Sequence, residues 1–162
     1  MQGISTFLWF DTQAADAARF YVSVFPNSRI TGGLDMENTG PERDQHATTV
    51  SFELDGRPFT ALNGGPLFTH SPAISFVISC EDQAEVDYYW ERLTDGGEES
   101  QCGWLVDRFG ISWQVVPTML FDVLGGSDPA GSARAMEAML QMRRLDIAAL
   151  QAAYDGGVEL DG

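Results

Sequence analysis

Lysine is absent from this 162-residue chain: all nine basic residues are arginine. Schiff-base chemistry and Walker-type phosphate binding, which need the lysine amine, are thereby excluded. Cysteine is nearly absent as well. Cys80 and Cys102 are too few for a disulfide framework, so a reduced, cytoplasmic setting is the expectation. Basic charge is scarce overall, with 24 acidic residues against nine basic ones and a formal net charge of −15. Such a surface repels phosphate backbones and anionic lipid, which predicts no nucleic-acid partner and no membrane partner. No apolar run approaches the roughly 20 residues that span a bilayer. The opening Met1 to Thr6 also lacks the basic-then-apolar pattern of a secretory signal.

What is present is a chain long enough to bury one ordinary core, and its pattern occurs twice. Ile4 to Phe10 reads as an aromatic strand, followed by Asp11 and Thr12 as candidate helix caps. Ala17, Phe20, Tyr21 and Val24 then mark one buried helical face that stops near Pro26. Ser28 to Leu34 is a weaker strand. His46 to Leu54 and Pro58 to Leu62 are strands joined by Asp55-Gly56, a strong hairpin signal. The order restarts at Ala73 to Cys80. Asp82 and Glu85 resemble a capping box ahead of a helix that carries Val86, Tyr89, Trp90 and Leu93. Glu98 to Gln101, Gly103 to Val106 and Ile111 to Val116 supply three short strands.

Gln13-Ala14 and Gln83-Ala84 stand 70 residues apart at equivalent helix starts, in keeping with a duplicated unit. The predicted fold class is α+β: two βαβββ modules, over 4–66 and 73–117, then helices over 118–155 and a tail over 156–162. Asp128-Pro129 and Asp146 are the helix starts of this appendage. Its Ala135, Met136, Met139 and Leu140 suit ordinary packing, on the chain's own sheet or on a second subunit.

Several segments carry a family resemblance: Trp9-Phe-Asp11, Phe20-Tyr21 with Phe25-Pro26-Asn-Ser28, and Leu62-Asn-Gly-Gly-Pro66 in the first module. In the second they are Gly96 to Trp104, Asp107-Arg-Phe-Gly110, Ser112-Trp-Gln114 and Pro117. Together they resemble the PhnB-like branch of the vicinal oxygen chelate (glyoxalase/bleomycin-resistance) superfamily, whose members often bear the name 3-demethylubiquinone-9 3-methyltransferase. The resemblance implies modules that curl their sheets around a cavity, usually in a homodimer. The methyltransferase name meets a physical objection. A Rossmann-type S-adenosylmethionine site needs a glycine-rich turn after a parallel strand, and the glycine pairs here form no Gly-x-Gly.

Metal-dependent relatives place His, Glu or Gln ligands on the first and last strand of each module. Carried over, those positions fall on Thr6, on Ala61 or Asn63, on Ser75 or Phe76, and on Gln114. None is a His or a carboxylate, and neutral amides are poor donors for zinc, nickel or iron. The expectation is therefore no metal and no cofactor. If Gln114 faces the cavity, so do Ser112 and Val116, while Ile111, Trp113 and Val115 lie under the helix. On the first strand Thr6, Leu8 and Phe10 are expected to face inwards. Asn63 and Gln101 are candidate polar anchors and Trp104 a candidate aromatic wall for a small organic ligand. Asp107 is expected to tie down its turn by an Asx hydrogen bond.

The reading that follows is a metal-free, homodimeric small-molecule-binding protein. The alternative is an isomerase or lyase working by acid and base. For that chemistry Glu98, Glu99 and His46 are the candidate proton carriers, and Cys102 is a candidate nucleophile that lacks an adjacent base in the sequence.

Overall fold

The computed structural model describes residues 3–36 and 47–156, and the chain divides into two compact units, Met1–His70 and Ser71–Gly162. His46 lies outside the described residues.

The first unit comprises β1 (Thr6–Phe10), α1 (Ala14–Val24), β2 (Arg29–Met36), β3 (Ala47–Leu54) and β4 (Arg57–Asn63). Its sheet runs in the order β1-β4-β3-β2, with β1 parallel to β4 and the other pairs antiparallel. The hairpin expected at Asp55-Gly56 is there. Both residues take positive φ, 46° and 74°, the backbone that a tight primed turn demands. Helix α1 buries Ala14, Ala17, Ala18, Tyr21 and Val24. The Tyr21 ring stacks on Phe52 at 6.3 Å, and Phe52 stacks on its cross-strand neighbour Phe59 at 5.4 Å. Asp11 and Thr12 do not cap this helix. Gln13 holds the cap position without a side-chain bond, and the Ala14 N–H is satisfied by Asn63 Oδ1 at 2.8 Å.

The second unit repeats the order with β5 (Phe76–Cys80), α2 (Gln83–Thr94), β6 (Glu98–Glu99), β7 (Trp104–Val106) and β8 (Ser112–Pro117). Its sheet is β5-β8-β7-β6, again with the first and last strands parallel. The expected capping pair at α2 forms in a shifted version: Asp82 Oδ1 accepts from Glu85 N–H at 2.9 Å, while Glu85 Oε2 reaches one residue past the cap and accepts from Glu81 N–H at 2.8 Å. Val86, Trp90 and Leu93 are its buried residues. Three helices follow: α3 (Met119–Leu124), α4 (Pro129–Leu140) and α5 (Ile147–Asp155). Asp128 and Asp146 cap α4 and α5 through Ala130 N–H and Ala149 N–H. The architecture is thus two βαβββ modules with C-terminal helices.

The appended helices pack on their own unit. Leu120, Val123, Ala135, Leu145 and Leu150 form a core with Val116 of β8, and Met119, Met139 and Met142 pack around it. Val116, expected to face a cavity, is therefore enclosed by this helical core. The segment between α4 and α5 clips onto the sheet. Cys102 and Gly103, both at positive φ, donate their N–H groups to the carbonyls of Met142 and Arg143 at 2.8 and 2.7 Å. Gln83 completes the clip, donating to the Leu145 carbonyl at 3.1 Å and accepting from Ile147 N–H at 2.9 Å.

Candidate functional site

Strand alternation and register sort the side chains of each sheet into two faces, because residues paired across strands point the same way. In the second unit the helix-covered face carries Ile111, Trp113, Val115 and Leu105, all buried, as expected. Asp107 sits beneath it. Its Oδ1 accepts from Phe109 N–H at 2.8 Å and Ile111 N–H at 3.1 Å, and its Oδ2 accepts from Trp113 Nε1–H at 2.8 Å. The expected Asx turn is therefore present, and the same carboxylate also satisfies the tryptophan indole.

The opposite face, which α2 does not cover, carries Gln114 and, paired with it in register, Trp104. Both are half-buried. Gln114 Nε2–H donates to Ser75 Oγ at 2.8 Å. Ser112, two residues before Gln114 and so on the same face, is buried, and its hydroxyl has no hydrogen-bond partner. Uncharged polar groups and one indole thus meet on a single sheet surface.

In the first unit the expected facing is reversed. Leu8 and Phe10 are buried, whereas Phe7 is exposed and Trp9 half-buried. Thr6 pairs with Phe59 and Leu8 with Ala61, which places Thr6, Leu8 and Phe10 on the side where Phe52 meets Tyr21 of α1. Asn63 also belongs to the helix side, its carbonyl oxygen spent on the start of α1. The open face instead presents Phe7 and Trp9. The Trp9 indole N–H donates to the Gly65 carbonyl at 2.9 Å, and its ring lies so close to Gly64 that an added Cβ would stand 2.3 Å from it.

The remaining candidates scatter. Gln101 is exposed, and its carbonyl accepts from Trp104 N–H at 3.0 Å. Glu99 lies toward the helix side, accepting from Trp90 Nε1–H at 2.9 Å and pairing with Arg143 at 3.5 Å. Glu98 pairs with Val106, so it shares the open face but stands exposed on the edge strand. The Cys102 thiol points to the appendage, where it donates to the Met139 carbonyl at 3.5 Å. Cys80 is fully buried; burial, then the charges of Glu85 and Asp82, pushes its thiol up to about 12. His70 packs edge-on against Phe10 with a buried, unpartnered Nε2.

A groove of about 550 Å³ lies between α2 and the clip, lined by residues such as Asp87, Glu91, Glu99 and Arg144. Its polar groups already serve one another: Arg144 pairs with Asp87 and Glu91, Trp90 with Glu99, and Gln83 with the clip backbone. Such internally satisfied groups have little left to offer a ligand.

Comparison with known proteins decides the ancestry of these two modules. The sequence model of the 3-demethylubiquinone-9 3-methyltransferase family matches residues 2–116. The chain belongs to that family. It is a PhnB-like member of the vicinal oxygen chelate superfamily. The PhnB protein from Bacillus cereus is 30% identical, with a TM-score of 0.64 over 72% of this chain and 100% of its own. Protein PA1353 from Pseudomonas aeruginosa is 18% identical, with a TM-score of 0.54 over 72% of this chain and 98% of its own. The fosfomycin resistance protein FosX from Listeria monocytogenes is 16% identical, with a TM-score of 0.53 over 75% of this chain and 96% of its own. The last two likenesses concern the fold alone. None of the curated proteins matches the chain.

The groups that this PhnB-like ancestry implies do not fit the residues present. Among the described residues no three His, Cys, Asp or Glu side chains cluster as metal donors. At the open faces the strand centres offer Phe7, Trp9, Val77 and Gln114, which lack the imidazole, thiolate or carboxylate that a transition metal recruits. A methyl donor of the Rossmann type fares no better. The turns from β1 to α1 and from β5 to α2 run through Asp11-Thr12-Gln13 and Glu81-Asp82, neither of which holds a glycine. No helix among the described residues is long and apolar enough to cross a membrane.

Proposed function

We propose that this PhnB-like chain is a metal-free binding protein that holds a small organic molecule on the open face of its second sheet. One observation carries the reading: Trp104, Gln114 and Ser75 lie together on the face opposite α2, with Trp104 and Gln114 half-buried. An indole supplies a large flat contact at low entropic cost, and the amide and hydroxyl supply direction. The first module contributes an aromatic open face of its own through Phe7 and Trp9, whereas Thr6, Leu8 and Asn63 serve the packing of α1. The two free cysteines suit a reducing, cytoplasmic setting.

The rival reading, an isomerase or lyase, requires a proton carrier within reach of the ligand. Glu99 is occupied by Trp90 and Arg143, and Cys102 by the appendage, which among the described candidates leaves Glu98 at the rim. Binding without turnover is the better match to this chemistry.

We also propose a homodimer. Ile4 of the first module and Ile74 of the second, both just before a strand, are exposed apolar residues at the same 70-residue spacing as the two modules. A second copy is the partner that would cover such a repeated surface. Sedimentation velocity tests this, with Ile4→Asp and Ile74→Asp together expected to yield monomer.

Native mass spectrometry of the purified protein, before and after denaturation, is the primary test of binding. A small molecule carried by the wild type and lost in Trp104→Ala supports the assignment. Undiminished uptake in Trp104→Ala would place the ligand elsewhere.

A further inference from the structure

We infer that the site on the second sheet selects an uncharged hydrogen-bonding group, and that Ser112 is the residue that anchors it. The inference rests on the binding role proposed above and goes beyond it by naming the chemistry that is recognised.

Ser112 is 2% exposed, and its hydroxyl is a buried polar atom without a partner. Leaving a hydroxyl buried and unbonded is costly, and native proteins tolerate it where the group has other work. Its neighbours on the same face are Gln114 and Ser75, already joined by a 2.8 Å hydrogen bond that leaves the amide oxygen and the Ser75 hydroxyl proton free to direct elsewhere. Trp104 flanks Gln114 in register. Donors and acceptors are both on offer, and none of them is ionised.

Charge is what this surface lacks. The positions of β5, β7 and β8 on the open face carry no charged side chain: the Asp107 carboxylate, bonded to Ile111 N–H beside Ser112, lies on the helix side with both oxygens engaged, and Glu98 sits on β6, two strands from β8 and about 10 Å away. An anion or cation brought against Ser112 would surrender its water without receiving a counter-charge, which is far costlier than burying an amide, carbonyl or hydroxyl. The recognised class is therefore a neutral polar group attached to a flat apolar body that lies along Trp104.

Three probes of similar size and three charges test this: benzamide, benzoate and benzylammonium, each titrated while following the assigned Trp104 indole N–H resonance. Benzamide is expected to bind at least tenfold more tightly than either ion. Ser112→Ala should cost benzamide about tenfold in affinity yet raise the melting temperature of the free protein by about 2–4 °C, since it removes an unsatisfied buried hydroxyl. Gln114→Glu, nearly isosteric but charged, should shift the preference to benzylammonium. Saturable binding that ignores probe charge, or that is indifferent to Ser112→Ala, overturns this inference and leaves the binding role standing. Absence of saturable binding by every probe overturns both.

Discussion

Asp107 and Cys80 are two buried acidic groups that the fold treats in opposite ways. The carboxylate of Asp107 receives three N–H donors, so its charge is solvated by the protein in place of water. Asp107→Ala would strand those donors in a buried turn, at about 1–3 kcal/mol each by the usual cost of an unmet hydrogen bond. A loss of about 3 kcal/mol or more in urea denaturation is expected, and a loss below about 1 kcal/mol would show that water replaces the carboxylate. Cys80 has no such help, and burial keeps its thiol protonated up to about 12, against an ordinary 9.0. Its linkage to stability follows. The unfolded chain releases this proton near pH 9 while the folded chain retains it. The contribution is therefore fully present below pH 9 and is lost progressively as pH rises toward 12. Iodoacetamide at about pH 8 should accordingly label the half-buried Cys102 and spare Cys80 in the native protein, with peptide mapping as the readout. Equal labelling of both would contradict the burial of Cys80.

The helices and the hairpin are readable from the sequence because each has a one-sided or local signal. Val86, Trp90 and Leu93 mark a face at helical spacing, Asp82, Asp128 and Asp146 announce starts, and Asp55-Gly56 specifies its own turn. Strand β1 offers no such asymmetry. Phe7 and Trp9 are as apolar as Leu8 and Phe10, so alternation does not say which pair lies beneath α1, and the facing expected from the family is reversed by one residue. In β8 the polar Ser112 and Gln114 alternate with Trp113 and Val115, and that asymmetry is enough to assign the faces. The clip between α4 and α5 is invisible in the sequence for a different reason. Its bonds join backbone groups of residues 142–147 to Gln83, Cys102 and Gly103, far apart in the chain and without a motif. Gln83→Ala would leave Ile147 N–H and the Leu145 carbonyl without their partner, so a loss of about 1–2 kcal/mol is expected, with faster amide exchange at the start of α5. Unchanged exchange there would mean that Leu145 packing alone holds the clip.

The family model stops at residue 116, and the Bacillus cereus relative in its entirety corresponds to 72% of this chain, so the appended helices are an addition to the shared pair of modules. In this chain the addition has become part of the second unit. Leu145 and Leu150 are fully buried in a core that includes Val116 of β8, and an added Cβ at Gly103 would meet a Leu145 methyl at 3.2 Å. Removing residues 119–162 would expose that core and strip the N–H groups of Cys102 and Gly103 of their acceptors. The first unit keeps its own helix on its own sheet, with Tyr21, Phe52 and Phe59 stacked inside it. Hydrogen exchange on the truncated chain should therefore show protection lost in α2 and β5 to β8, while α1 and β3 to β4 exchange nearly as slowly as before. The turn before Trp104 is fastened by the clip, so the indole on the binding face should also broaden or shift in the truncated protein. Protection lost evenly across both sheets would show that the modules unfold as one. Full retention would show that the second module stands without the helices, and that neither Leu145 nor the clip holds it together.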